Sequence, residues 1–432
     1  MYATALCQPY PVGDYKWVNP SILKGIDWKT YDPAQNNNTG YFLRVSLRYP
    51  RWVQDKSAAL PFAPEKFSVQ LDELPQYQKD KVELLQGKIP KTFVTQPRLI
   101  AHCYDRKDYC IHHSALKYYL NEGLELVDIT EGFSFREEPI FKKMIEFTIQ
   151  KRREAKSNAM NAVLKLICNS LYGRSLMSNK ERLQIKFSES SCRARHLLSL
   201  GRCTGFKIIN ANVLMVLLRP PKIVLSNPII LGATCLDRSK VIFYNSYYGV
   251  LKGIFGDDIS FNYCDTDSLI CSIRDPNKTV LQKHVQFEQH FDFSKISDKC
   301  GFFQMFPEDP GLKMRNAGKL GLLKIEAIDV RRGIFLKPKV YILDDREGHE
   351  EKRAKGVMKD QMNDVHFNTY EAVCERDEVF YVKAKLIRSF NHNLYNISVR
   401  KLGFHSLSMS RAFIAPNTSL PFGHYMLENE TL

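Results

Sequence analysis

"FNYCDTDSLICSI", Phe261 to Ile273, is the stretch on which the reading of this chain turns. Apolar residues alternate on both sides of Cys264-Asp265-Thr266-Asp267, which predicts a strand–turn–strand over 259–273. Such a turn lifts two carboxylates to a sheet edge, and carboxylate oxygens are the hard ligands that Mg²⁺ prefers. Asp and Thr are also ordinary turn residues, so a bare D-x-D hairpin has a purely structural reading. The flanking Tyr263 and Ser268, with the rest of the chain, weigh against it.

The second signal lies upstream in "KLICNSLYG", Lys165 to Gly173. On a helix, Lys165, Asn169 and Tyr172 follow at spacings of four and three and share one face, while Val163, Leu164, Ile167 and Leu171 populate the other. A cation, an amide and a phenol in one stripe can grip a triphosphate and stack against a base and sugar. Arg153 and Lys156 precede them and can add charge to the same phosphates. The plainer alternative is an amphipathic helix with a solvated Lys, closed by Gly173. The pattern from 139 to 172 predicts two helices, the second capped by Ser157 or Asn158, and hence a helical hairpin.

K-x-x-x-N-S-L-Y-G followed roughly 90 residues later by Y-x-D-T-D-S resembles the family B DNA polymerases, and Lys339-Val340-Tyr341 matches their K-x-Y. More specifically the chain resembles the protein-primed branch, above all the polymerases of Maverick/Polinton transposons. The stretches "NPIILGATCLDRSK", "EKRAKGVMKD", "LIRSFNHNLYNI" and "FGHY" carry that likeness. It implies an α+β right-hand fold with a palm of antiparallel sheet plus helices, a fingers helical hairpin and a thumb. The palm would start in 1–49, an insertion of this branch plus palm would span 50–138, and the fingers 139–182. A second insertion would fill 183–226, palm with the catalytic hairpin 227–345, and the thumb 346–432. No 3′–5′ exonuclease domain is expected within these residues.

The resemblance also implies an activity, template-directed deoxynucleotidyl transfer with two Mg²⁺ ions about 4 Å apart. Asp267 would ligate the metals, with Asp265 a weaker or indirect partner. Lys165 would contact the triphosphate, helped by Asn169, Arg153 and Lys156, and Tyr172 would line the nascent base pair. Gly173, Lys339 and Tyr341 would hold the primer DNA. The implied partners are primer–template DNA, dNTPs and a terminal priming protein, with no membrane; a eukaryotic transposon polymerase would work in the nucleus. Another carboxylate comes, in this family, from D-x-x-[SN]-[LM]-Y. Met1 and Tyr2 match its last two positions, so Tyr2 would pack under the sugar and exclude a 2′-hydroxyl. The matching Asp would fall before Met1, so the chain reads as the C-terminal part of a longer enzyme and is expected to extend primers poorly alone. A catalytically dead, polymerase-like DNA-binding protein derived from a transposon is the alternative. A reverse transcriptase fits less well, since its hairpin reads Y-x-D-D and it has no N-S-L-Y-G helix.

Bulk composition agrees with a polyanionic partner. Lys and Arg total 62 against 47 acidic residues, a formal +15. The longest apolar run, Val213 to Leu218, is far short of a membrane span. The 11 cysteines include no C-x-x-C, which fits reduced thiols. His102, Cys103, Cys110, His112 and His113 cluster in sequence, but their spacing fits no standard zinc pattern, and two short strands around an Asp-Arg-Lys-Asp turn explain them more simply.

Further elements follow from periodicity: strands at 41–49, 207–210, 222–227 and 334–343, and helices at 115–125 and 229–254. The start of the chain reads as the end of a buried strand and a turn, and the tail from 346 as charged and helical at first. Arg44, Ser46 and Arg48 stand where relatives carry acidic positions.

Overall fold

The computed structural model describes residues 1–90, 92–180, 182–274, 280–328, 330–345, 348–390 and 393–430. The chain opens with a short helix, Tyr2–Leu6, rather than a strand end, and strand Tyr10–Trp17 follows. Pro11 is tolerated in that strand because it lies at a sheet edge, where a missing N–H costs no ladder bond. The sheet is antiparallel, in the order 10–17, 125–138, 39–48, 106–112. Leu43, Val45, Leu47 and Ile111 form its buried side and pack against Leu116, Tyr119 and Tyr244. The basic residues of "LRVSLRY" find acids on the adjacent strand: Arg44 lies 3.7 Å from Glu131 and Arg48 3.3 Å from Glu125.

Helix His113–Asn121 ends before Gly123, whose φ of +114° suits glycine and whose missing Cβ makes room for Trp52. The expected helical hairpin forms as Lys142–Glu154 and Asn158–Ser175, with the Ser157 hydroxyl accepting the Met160 N–H at 3.2 Å. A three-stranded sheet of 184–188, 213–218 and 203–210 follows, covered by helix Ser191–Ser199. The strand expected at 222–227 does not form. Prolines 220, 221 and 228 bracket it, and Ile223, Val224 and Leu225 stay exposed.

Helix Ile229–Tyr244 continues through a π-helical turn, Asn245–Leu251, to Phe255. Tyr247 and Phe255 pack with Ile259 and Phe261, so this helix carries the hairpin 259–273. The segment 334–343 is two strands, Val330–Lys337 and Val340–Asp345, because Pro338 lacks an N–H and Lys339 takes φ +63°. The charged tail begins with strand Glu350–Ala354, not a helix; pairing with 340–344 overrides its helix propensity. A long ribbon, Phe380–Phe390 with Asn393–Phe404, follows, and Leu407, Met409 and Phe422 pack on Val69, Leu74 and Ile100. Among the described residues no helix is long and apolar enough to cross a membrane.

Several buried histidines make acid stability predictable. His102, His284 and His405 are 1, 5 and 1 % exposed. Burial lowers their pKa values to about 3, about 4 and about 3, with Arg106 helping at His102 and Lys337 at His405. The unfolded chain takes up protons near pH 6.5 that the folded chain refuses, so their stabilisation is complete above that pH and is lost as pH falls. Each histidine costs about 1.4 kcal/mol per pH unit in that window. Urea midpoints should therefore fall steeply from pH 6.5 to 4. A flat profile over that range would contradict the neutral buried imidazoles.

Candidate functional site

The two carboxylates sit at the tip of the hairpin Ile259–Asp265 and Ser268–Ile273. Thr266 takes φ +61°, and the Asp267 N–H closes back on the Asp265 carbonyl at 2.7 Å. This tight geometry separates their environments: Asp265 is half-buried and Asp267 exposed. Both Asp265 oxygens accept from the Lys339 ammonium at 2.7 Å. That hydrogen bond raises the Lys339 pKa. The Lys339 backbone N–H donates to the Tyr263 phenol oxygen at 2.7 Å. Tyr263 in turn stacks on Phe335 and tilts against Tyr341, with centroids 5.5 and 5.1 Å away. Burial, followed by the Glu351 carboxylate, pushes the Tyr341 phenol up to about 12. The hairpin and the K-x-Y segment, distant in sequence, are thus one unit.

A second cluster forms at the opposite end of the sequence. The Tyr2 ring stacks on Tyr172 with centroids 4.3 Å apart and planes at 19°. Burial raises the Tyr2 phenol pKa; a hydrogen bond with Tyr172 and the charge of Asp267 act in the same direction. Tyr2, Tyr172 and Asp267 therefore share one locality. Lys165 and Asn169 are exposed on helix Asn158–Ser175. The other face of that helix is not sealed, since Val163 and Ile167 are 54 and 41 % exposed and its buried residues are Cys168 and Ser175. Gly173 lies inside the helix rather than closing it, with nothing within 4 Å of where a Cβ would stand. Lys156 is exposed, whereas Arg153 donates to the Gly318 carbonyl at 2.9 Å.

The Asp105–Asp108 stretch is not a turn between two strands. Strand Arg106–His112 begins within it, and Asp108 bends the strand at φ +52°. The suspected zinc residues divide accordingly. Cys103 is buried and Cys110 exposed. His112 and His113 face Glu137, the one grouping with metal-ligand geometry among the described residues. There the Arg238 guanidinium, 2.8 Å from Glu137, already supplies the positive charge. His112 Nε2 lies 3.0 Å and His113 Nε2 3.6 Å from Glu137. Burial would raise the Glu137 pKa, but His112, His113 and Arg238 together hold it well below the carboxylate range. Arg238 lies over the Tyr10 ring at 5.5 Å, connecting this network to the segment that carries Tyr2. The motifs do not single out Glu137 or Arg238. The visible signal is the charged group Asp237, Arg238 and Lys240 inside a largely apolar helix.

The fold is the right-hand polymerase fold, as in phi29 DNA polymerase complexed with primer–template DNA and incoming nucleotide substrates. That match has a TM-score of 0.50 and 13 % identity, over 94 % of this chain and 56 % of the other. An orthorhombic crystal form of phi29 DNA polymerase matches at TM-score 0.52 and 11 % identity, and a post-translocation binary complex with primer–template DNA at 0.50 and 12 %, with the same coverage. Residues 1–227 match the family model of DNA polymerase type B, organellar and viral, and the chain belongs to that family. It spans 56 % of the length of the phi29 chains. No curated protein matches it in sequence.

Proposed function

We propose that this chain is the polymerase part of a protein-primed DNA polymerase of the Maverick/Polinton type, adding deoxynucleotides to a primer on a DNA template. The observation that carries the reading is the convergence of Tyr2, Tyr172 and the Asp267 hairpin, from three separate stretches of sequence. The family B match supports the reaction class. In this reading the segments 1–49 and 227–345 build the palm, 139–182 the fingers and 346–432 the thumb. The segment 50–138 holds one insertion together with more of the palm, and 183–226 holds the second; these insertions handle the DNA strands and the priming protein.

Asp267 and Asp265 offer the oxygen donors that a divalent cation takes, and Asp267 is the freer, because Lys339 occupies both oxygens of Asp265. Mg²⁺ bound there supplies charge neutralisation for phosphoryl transfer. Lys165 and Asn169 donate to the triphosphate, with Lys156 and Arg153 nearby in sequence; one Arg153 nitrogen is engaged by the Gly318 carbonyl. Tyr2 and Tyr172 form an aromatic wall beside the sugar and base. Lys339 and Tyr341 steady the primer end, and the open surface at Gly173 lets the DNA backbone approach.

Binding of a labelled primer–template duplex to the purified chain tests this reading. Affinity should be high at 50 mM salt and fall on the order of 10³-fold by 200 mM, as six or more phosphate contacts require. Failure to bind at low salt, or binding indifferent to salt, would overturn it.

A further inference from the structure

We propose that Lys337, His405 and Arg98 form a phosphate-binding pocket beside the catalytic hairpin, and that it takes a backbone phosphodiester of the primer strand. The inference rests on the polymerase reading for the identity of its anion, but the clustering of the three groups stands on geometry. Lys337 ends strand Val330–Lys337, two residues from Phe335, whose ring stacks on Tyr263, and two before Lys339. Its ammonium lies 3.2 Å from His405 Nε2. The Phe93 ring is shared by all three groups. Lys337 Nζ lies 5.3 Å from its centroid, the Arg98 guanidinium carbon 4.6 Å, and the His405 ring meets it edge-on at 4.8 Å.

Among the described residues, no carboxylate pairs with any of the three. Arg98 directs its N–H groups to the carbonyls of Phe93, Val94 and Gln96, which leaves its charge unneutralised. His405 is 1 % exposed, and its Nδ1 has no partner. If Lys337 donates to Nε2, the neutral imidazole carries its proton on Nδ1, a buried donor without an acceptor. Burial and Arg98 push the Lys337 amine down to about 8. Lys339, two residues on, has a carboxylate partner and shifts upward. A part-buried pair of cations with an orphaned donor is costly alone and is relieved by an oxyanion. For a basic chain that handles DNA, the nearest such anion is a backbone phosphate.

The probe for the pocket is inorganic phosphate, followed by NMR of the His405 ring in the full chain. The ring signals should move saturably, and Lys337→Met should abolish the movement. The probe for its occupant is a set of primer–templates with one neutral methylphosphonate at successive primer positions. One position should cost the wild type about tenfold in affinity and cost Lys337→Met nothing, with the salt slope lowered by about 1. Lys337→Arg keeps the charge and should keep both responses, which separates loss of charge from loss of folding. A His405 ring indifferent to phosphate overturns the pocket even if DNA binds. A phosphate response with methylphosphonate costs identical in wild type and Lys337→Met overturns the primer assignment. Absence of all duplex binding despite a phosphate response instead overturns the polymerase reading.

Discussion

Asp267→Asn should reduce nucleotide incorporation on the order of 10³-fold or more in any active polypeptide containing this chain, while leaving duplex affinity within about twofold. The expectation follows from where the two hairpin carboxylates stand. Asp267 is exposed, and among the described residues its hydrogen bonding is confined to its backbone N–H, with the Asp265 carbonyl. Its side chain therefore does little for folding, and the substitution should change stability by less than about 0.5 kcal/mol. Asp265→Asn differs: it breaks a two-oxygen contact with Lys339 and frees that ammonium. Its activity loss should be smaller, and it should also change how the primer terminus is held. Primer extension and thermal unfolding of both variants decide the matter. Retained synthesis in Asp267→Asn would sink its assignment as the principal metal ligand, and so would an equal loss of stability in the two.

The parts of this site that could be read in advance are those where local chemistry is the constraint. A tight turn between alternating strands is visible because period-two patterning and turn residues are local properties. The same holds for the helical hairpin, whose Ser157 cap forms as its position suggests. Strand pairing was legible only in part, because it depends on distant partners. Nothing local distinguishes 350–354, which becomes a strand by pairing with 340–344, from a charged helix. Pro338 is a visible break, yet only the observed turn shows that it brings Lys339 onto Asp265. Of the sheet 10–48 and 106–138, the strand at 41–49 is legible from its alternation, but strand 125–138, which pairs with 10–17 on one side and 39–48 on the other, is not. The stack of Tyr2 on Tyr172 joins residues 170 positions apart, and it is the packing of helix Ile229–Tyr244 against both segments, with their direct contact, that places them together.

That packing is anchored by the least legible feature, the buried network of Glu137, Arg238, His112 and His113, and Glu137→Gln should destabilise the fold by about 3–5 kcal/mol. Glu137 and Arg238 are 3 and 5 % exposed, and Gly40 leaves the space the Glu137 side chain fills. Removing the carboxylate strands a guanidinium whose Nε and Nη1 already have no partner. The converse change, Arg238→Met, should cost less at pH 6 than at pH 8. The carboxylate it leaves behind faces two imidazoles, and an imidazole can take up a proton to replace the lost charge. Removing both, in Glu137→Gln/Arg238→Met, should recover much of the loss, because the cost lies in the unpaired charge and not in the absent contact. Urea unfolding of the four proteins at both pH values tests this. Additive losses, or a Glu137→Gln effect under about 1 kcal/mol, would show that the charges are screened. Because Arg238 also covers the Tyr10 ring, a loosened network should reach Tyr2. Increased mobility of the Tyr2–Tyr172 pair in Glu137→Gln, seen by NMR under conditions where the variant stays folded, is the result that would connect this core to the site.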